Sequence, residues 1–244
     1  MQKYFWWIPN ALTLTNLLCG SIAITELLNE RYASVLGLVF MALLADFLDG
    51  LVARRLKVQS MIGKDLDSLA DLVSFGLLPS LILFHLAEQM AHSVWNYLCF
   101  SGVIFSAIRL ARFNYDVRQS YYFIGLPTPA NALFILSLLV FILYENPERS
   151  AHSALLKWNA VFFSNLIYSA KALRIIAIVS SFLLVFPVYF ISLKVTRWTF
   201  KETLHQQILL IGILLILALF GIMGLFWAMV WYLVWSVCWY YFIR

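Results

Sequence analysis

Apolar runs, each long enough to cross a bilayer, recur along this chain and are separated only by short polar stretches. A membrane's hydrocarbon core is about 30 Å thick and needs about 20 apolar residues on a helix to span it. In such a medium every backbone amide must be satisfied internally, so recurrent runs of this length dictate a bundle of helices. The runs predict spans at 9–28, 33–54, 65–87, 93–112, 127–144, 174–193, 207–222 and 225–243. The stretch from Gln207 to Ile243 exceeds one ordinary span, and Gly221 and Gly224 supply a turn in its middle. Pro127 and Pro129 start the fifth span, and Pro187 is expected to kink the sixth. The fold class expected is therefore all-α integral membrane, a bundle of about eight transmembrane helices. It divides into a six-helix core over residues 1–200 and a C-terminal hairpin over 201–244.

Composition agrees: 63% of the 244 residues are hydrophobic and 12% are charged, so no separate soluble domain is expected. Lys3 ahead of an apolar run, with Leu17–Gly20 behind it, has the outline of a cleaved leader. Leu18 is too bulky to precede a modified cysteine, and the segment reads as a retained first span. The net charge of +5 does not point to nucleic acid, because Lys and Arg sit in the connections between apolar runs. With the N-terminus in the cytoplasm, 12 of the 17 fall on the cytoplasmic side and 5 opposite. That bias supports this orientation, and the chain is expected to be a multi-pass protein of the cell membrane. The three cysteines lie inside apolar runs without metal-binding spacing and are expected to pack in the core. Residues 1–8 and 154–168 are each readable as an interfacial helix or as an ordinary loop or span end.

Against this background four aspartates stand out: Asp46, Asp49, Asp67 and Asp71. Asp46 and Asp49 are three apart, Asp67 and Asp71 four apart, so each pair shares a helix face. Gly50, Ala53 and Arg54 continue the first face, and the short connection at 54–63 makes the two helices antiparallel neighbours. An aspartate at mid-membrane costs about 2.5–3.5 kcal/mol, so four unpaired ones would cost roughly 10 kcal/mol. Arg54 and Lys64 cannot neutralise four charges, whereas Mg²⁺ or Mn²⁺ takes hard oxygen ligands. Arg54 suits phosphate, and Gly63 near a helix start offers amides to an anion. The bias in Lys and Arg puts the aspartates near the cytoplasmic face. A cation-coupled transporter would also use buried carboxylates, but it would be expected to repeat them in both halves of the chain. An intramembrane aspartyl protease needs only two and a different glycine context. A non-catalytic lipid-binding scaffold has no use for the whole set.

At these residues the chain resembles the CDP-alcohol phosphotransferase family. Its pattern D-x2-D-G-x2-A-R-x8-G-x3-D-x3-D reads here as Asp46, Asp49, Gly50, Ala53, Arg54, Gly63, Asp67 and Asp71, without departure. Further segments resemble the phosphatidylserine synthase branch: Pro9-Asn10 with Thr13 and Asn16, DSLADLVSFGLLPS at 67–80, RLARFN at 109–114 and GLPTPA at 125–130. Ser192 and Arg197 are fainter echoes. The resemblance implies an enzyme that moves a phosphatidyl group from CDP-diacylglycerol to L-serine. It implies two divalent ions on Asp46, Asp49, Asp67 and Asp71, with Asp71 also the general base. It implies a CDP site of Asp46, Asp49, Gly50, Ala53, Arg54, Gly63 and Asp67, and a homodimer. Arg109 and Arg112, three apart, are candidates for the serine carboxylate or substrate phosphate, with Lys64 and Asn114 behind them. Glycerol phosphate or inositol phosphate is the alternative acceptor.

Overall fold

The computed structural model describes residues 7–58, 60–115, 122–144, 154–191 and 200–243. Helix α1 runs Trp7–Leu28, α2 Tyr32–Leu56, α3 Met61–Asp71, α4 Leu78–Met90, α5 Ser101–Tyr115 and α6 Thr128–Tyr144. Then come α7 (Ala154–Ile167), α8 (Ala170–Val185), α9 (Phe200–Phe220) and α10 (Leu225–Cys238). A π-helical turn, Leu72–Leu77, joins α3 to α4, so Met61–Met90 forms one rod. The segments 116–121 and 192–199, with Arg118, Ser192 and Arg197, lie outside the described residues, as do residues 1–6 of the proposed surface segment.

This is an all-α membrane bundle, with one small addition. Strands β1 (Tyr122–Ile124) and β2 (Tyr189–Ile191) pair antiparallel, Phe123 opposite Phe190. The ribbon exists because the sixth expected span is shifted. Its helix begins at Ala170 and stops at Val185, with Phe186 already extended. A residue before proline is driven out of the helical region, so Pro187 ends the helix rather than kinking it. The freed strand takes β1 as its partner. At the other end of α8, the helix bends 88° into α7. α7 thus lies across the end of the bundle, with Phe163 buried in the core and Trp158 exposed.

The last apolar run, Leu204–Tyr241, is helical through 38 residues yet folds back on itself. Trp231 Nε1 donates to the Leu209 carbonyl at 3.3 Å and Trp235 Nε1 to that of His205 at 2.9 Å. On a straight helix those partners would be roughly 33 and 45 Å apart. Gly221, at φ +62°, makes the turn. The hairpin joins the core through Phe226, which packs on Phe134 and Phe163, each with ring centroids 5.0 Å away. Trp227 Nε1 also donates to Asn159 Oδ1 at 2.8 Å.

The main core runs along α4, where Leu78, Ile82, Leu83 and Leu86 meet Ala23 and Leu27 of α1, Val39 of α2, Leu139 of α6 and Leu173 of α8. Gly125 anchors the segment before α6. Its φ is +82°, and a Cβ there would sit 2.2 Å from the Leu184 carbonyl oxygen. Gly125→Ala is therefore expected to lower stability in detergent by more than about 1 kcal/mol. Gly37→Ala, with open space around the new methyl, is expected to leave the melting temperature unchanged or slightly raised. Thermal unfolding of the two variants checks the contrast.

Candidate active site

The carboxylates converge where α2 ends and α3 begins. α2 stops because Lys57 takes the left-handed conformation, φ 54°, and its N–H returns to the Arg54 carbonyl at 3.3 Å. α3 starts with Ser60 as N-cap, whose hydroxyl accepts from the Gly63 N–H at 3.0 Å. That amide, expected to be open to an anion, is therefore already engaged. Gly63 serves instead by lacking a side chain, since a Cβ would lie 3.0 Å from both Asn10 Oδ1 and Ser60 Oγ.

Helices α2 and α3 were expected to pack as direct neighbours. Their carboxylates do face each other, but α1 packs along both helices and their backbones stay apart. The gap is a cavity of about 560 Å³. Asp49, Gly50, Ala53 and Arg54 line it from α2, Gly63, Lys64 and Asp67 from α3, and Pro9, Asn10 and Thr13 from α1. Oxygens of Asp46, Asp49 and Asp67 all lie within 4.8 Å of one another. Among the described residues the ion pairs are elsewhere, joining Arg31 to Glu26, His85 to Glu30 and His92 to Glu88.

The first helix supplies the polar support. Thr13 Oγ1 donates to Asp49 Oδ2 at 2.5 Å, and Asn16 Nδ2 donates to Asp71 Oδ1 at 3.2 Å. Ser74, in the π turn just after Asp71, donates to the Asn16 carbonyl at 3.0 Å. Gly20 lets that turn approach, since a Cβ there would clash with Ser74. Asp71 is buried beside the other three but is not part of the closest trio. Asp67 Oδ1 is buried with no hydrogen-bond partner. A buried acceptor left unmatched inside a group of like charges fits a hard divalent cation, so these carboxylates could hold one.

Arg109 and Arg112 part company. Arg109 is buried, with Nη1 donating to Thr128 Oγ1 at 3.2 Å, whereas Arg112 is exposed, and neither lines the cavity. Lys64 lines the cavity, its Nζ donating to the Asn114 carbonyl at 2.5 Å. Asn114 Nδ2 in turn donates to Ser68 Oγ at 2.9 Å, so Asn114 ties α5 to α3 rather than facing the cavity. The supporting roles of Thr13 and Asn16, and the π turn, are not among the expectations from sequence. The signal for the two side chains is the polar face Asn10, Thr13, Asn16 and Gly20 on an otherwise apolar helix.

The pattern of carboxylates, glycines and arginine around one cavity prompts comparison with known proteins. The CDP-alcohol phosphatidyltransferase family model matches residues 6–242. The chain belongs to this family. It is similar to proteins named CDP-diacylglycerol–serine O-phosphatidyltransferase from three organisms. For that of Bacillus subtilis the identity is 35% over 123 residues, 50% of this chain and 70% of the relative. For that of Helicobacter pylori it is 33% over 167 residues, 66% of this chain and 70% of the relative. For that of Methanocaldococcus jannaschii it is 37% over 131 residues, 52% of this chain and 58% of the relative.

The two glycines of the family pattern separate under substitution. A Cβ on Gly50 meets only Arg54 Nη1 at 3.6 Å, so it projects into free space in the cavity. Gly50→Ala is expected to keep the melting temperature while cutting activity at least about tenfold. Gly63→Ala must move Asn10 or Ser60 and is expected to lose about 1 kcal/mol of stability as well. Melting curves beside turnover assays distinguish the two.

Proposed function

We propose that this chain transfers the phosphatidyl group of CDP-diacylglycerol to L-serine, releasing CMP and forming phosphatidylserine at the cytoplasmic face of the cell membrane. The observation that carries the reading is the set of three carboxylates within 4.8 Å, two of which, Asp49 and Asp67, line a cavity with Gly50, Ala53, Arg54 and Gly63. Asp46, Asp49, Asp67 and Asp71 would hold two divalent ions, Mg²⁺ or Mn²⁺. Bound there, the ions would offset the charge of the diphosphate and of the departing CMP.

The protein's own groups do the rest. Gly50 and Ala53 leave the helix surface bare so that CDP can lie against it. Arg54 offers a planar fork to phosphate oxygens. Asp71, held by Asn16, takes the proton of the serine hydroxyl as its oxygen attacks the lipid-bearing phosphorus. The bond from that phosphorus to the CMP oxygen breaks, and CMP leaves with the electron pair. Of the two arginines, Arg109 is the better candidate for the serine carboxylate, because it is enclosed beside the site while Arg112 is exposed. Lys64 adds positive charge at the cavity wall. The protein is expected to act as a homodimer.

The test is CMP release by purified protein supplied with CDP-diacylglycerol and, in turn, L-serine, glycerol phosphate and inositol phosphate. Release is expected with serine only, to stop on adding chelator, and to return with Mg²⁺ or Mn²⁺. Asp71→Asn is expected to lower kcat by at least about 100-fold. Release with glycerol phosphate alone would overturn the choice of acceptor, and full turnover under chelation would overturn the metal assignment.

A further inference from the structure

The GLPTPA segment has a structural role that reaches beyond its own helix. The Gly125 N–H donates to the Val188 carbonyl at 2.9 Å and the Leu126 N–H to that of Leu183 at 2.8 Å. These bonds pin the segment to the end of α8 and set Thr128, fully buried, at the start of α6. There Thr128 Oγ1 accepts from Arg109 Nη1, while Arg109 Nε is buried with no partner. On the hairpin, Tyr232 of α10 shares a buried cluster with Leu126, and its ring centroid lies 6.0 Å from that of Phe190. One turn before Arg109, Ser106 packs against Gly76 of the π turn that comes after Asp71.

A buried guanidinium with an unmatched N–H is costly unless a ligand completes it. One end of this fork is fixed by Thr128, and the unmatched nitrogen is left for something else. L-serine carries its hydroxyl and its carboxylate on neighbouring carbons. An acceptor whose hydroxyl meets Asp71 therefore has its carboxylate only a few bonds away, within range of a cation placed beside that aspartate.

We propose that Thr128 is a positioning residue that aims the Arg109 guanidinium at the acceptor's carboxylate, and that Tyr232, packed with Leu126, holds Thr128 in place, so that the C-terminal hairpin takes part in selecting the alcohol. The proposal rests on the serine-transfer reading above. It gives the hairpin a function besides filling the bilayer, and it accounts for a threonine in a segment whose other residues serve the turn and the helix start.

The test compares Thr128→Val, Thr128→Ser and Tyr232→Ala in steady-state CMP release. L-serine is set against ethanolamine, which is serine without its carboxylate. Thr128→Val is expected to raise KM for serine about tenfold while KM for CDP-diacylglycerol is unchanged, and Thr128→Ser to stay within about twofold of the parent. Tyr232→Ala removes the ring packed with Leu126 and is expected to lower the preference for serine over ethanolamine severalfold. The proposal is overturned if Tyr232→Ala and Thr128→Val leave serine KM and that preference unchanged. It is also overturned if they raise KM for both substrates alike, as general loosening would. Absence of serine-dependent CMP release in the parent protein would instead overturn the functional reading itself.

Discussion

Three carboxylates within 4.8 Å of one another at the end of an apolar bundle repel, and water cannot screen them as it does at an open surface. The placement of the helices around them reflects the need to manage that repulsion. α1 packs along both α2 and α3 and lines the cavity between them, and it supplies Thr13 and Asn16 as neutral donors to two of the four aspartates. Neutral donors soften the repulsion without cancelling the charge. The remaining charge is what suits the site to a cation.

The π turn after Asp71 is part of the same arrangement. Such turns insert one residue, rotate the helix beyond them, and gather at functional sites. Here the turn brings Ser74 onto the Asn16 carbonyl and Gly76 onto Ser106, so one irregular segment ties α1 and α5 to the rod that carries Asp67 and Asp71. Glycines at 20 and 76 make those approaches possible, since a Cβ at either would meet a serine side chain. The local helix geometry and the shape of the site are thus one problem.

Much of this was legible in the sequence because the strongest constraints are local. Hydropathy marks the spans, and three- and four-residue spacing puts the aspartates on shared faces. The turn at Gly221 shows the same local logic, because a doubled apolar run with glycines in its middle must fold back. The features that were not legible depend on tertiary partners. Arg109 and Arg112 look alike at three-residue spacing, yet only packing against Thr128 buries the first. The Gly63 amide looked open because Ser60 caps it only once the helix start is fixed at Met61. Pro187 ends a helix rather than kinking it, because the chain beyond it finds β1 as a partner. The cavity between α2 and α3 could not be read from a short connection, because it depends on how α1 packs along both.

The central claim is that these aspartates share their charge with bound cation and nucleotide. The most direct measurement is electron paramagnetic resonance of Mn²⁺ titrated into the detergent-purified protein, with and without CDP. Binding at the site is predicted to tighten when CDP is present and to be lost in the double variant Asp46→Asn, Asp67→Asn. Equal Mn²⁺ binding by the parent and that variant, unaffected by CDP, would contradict it.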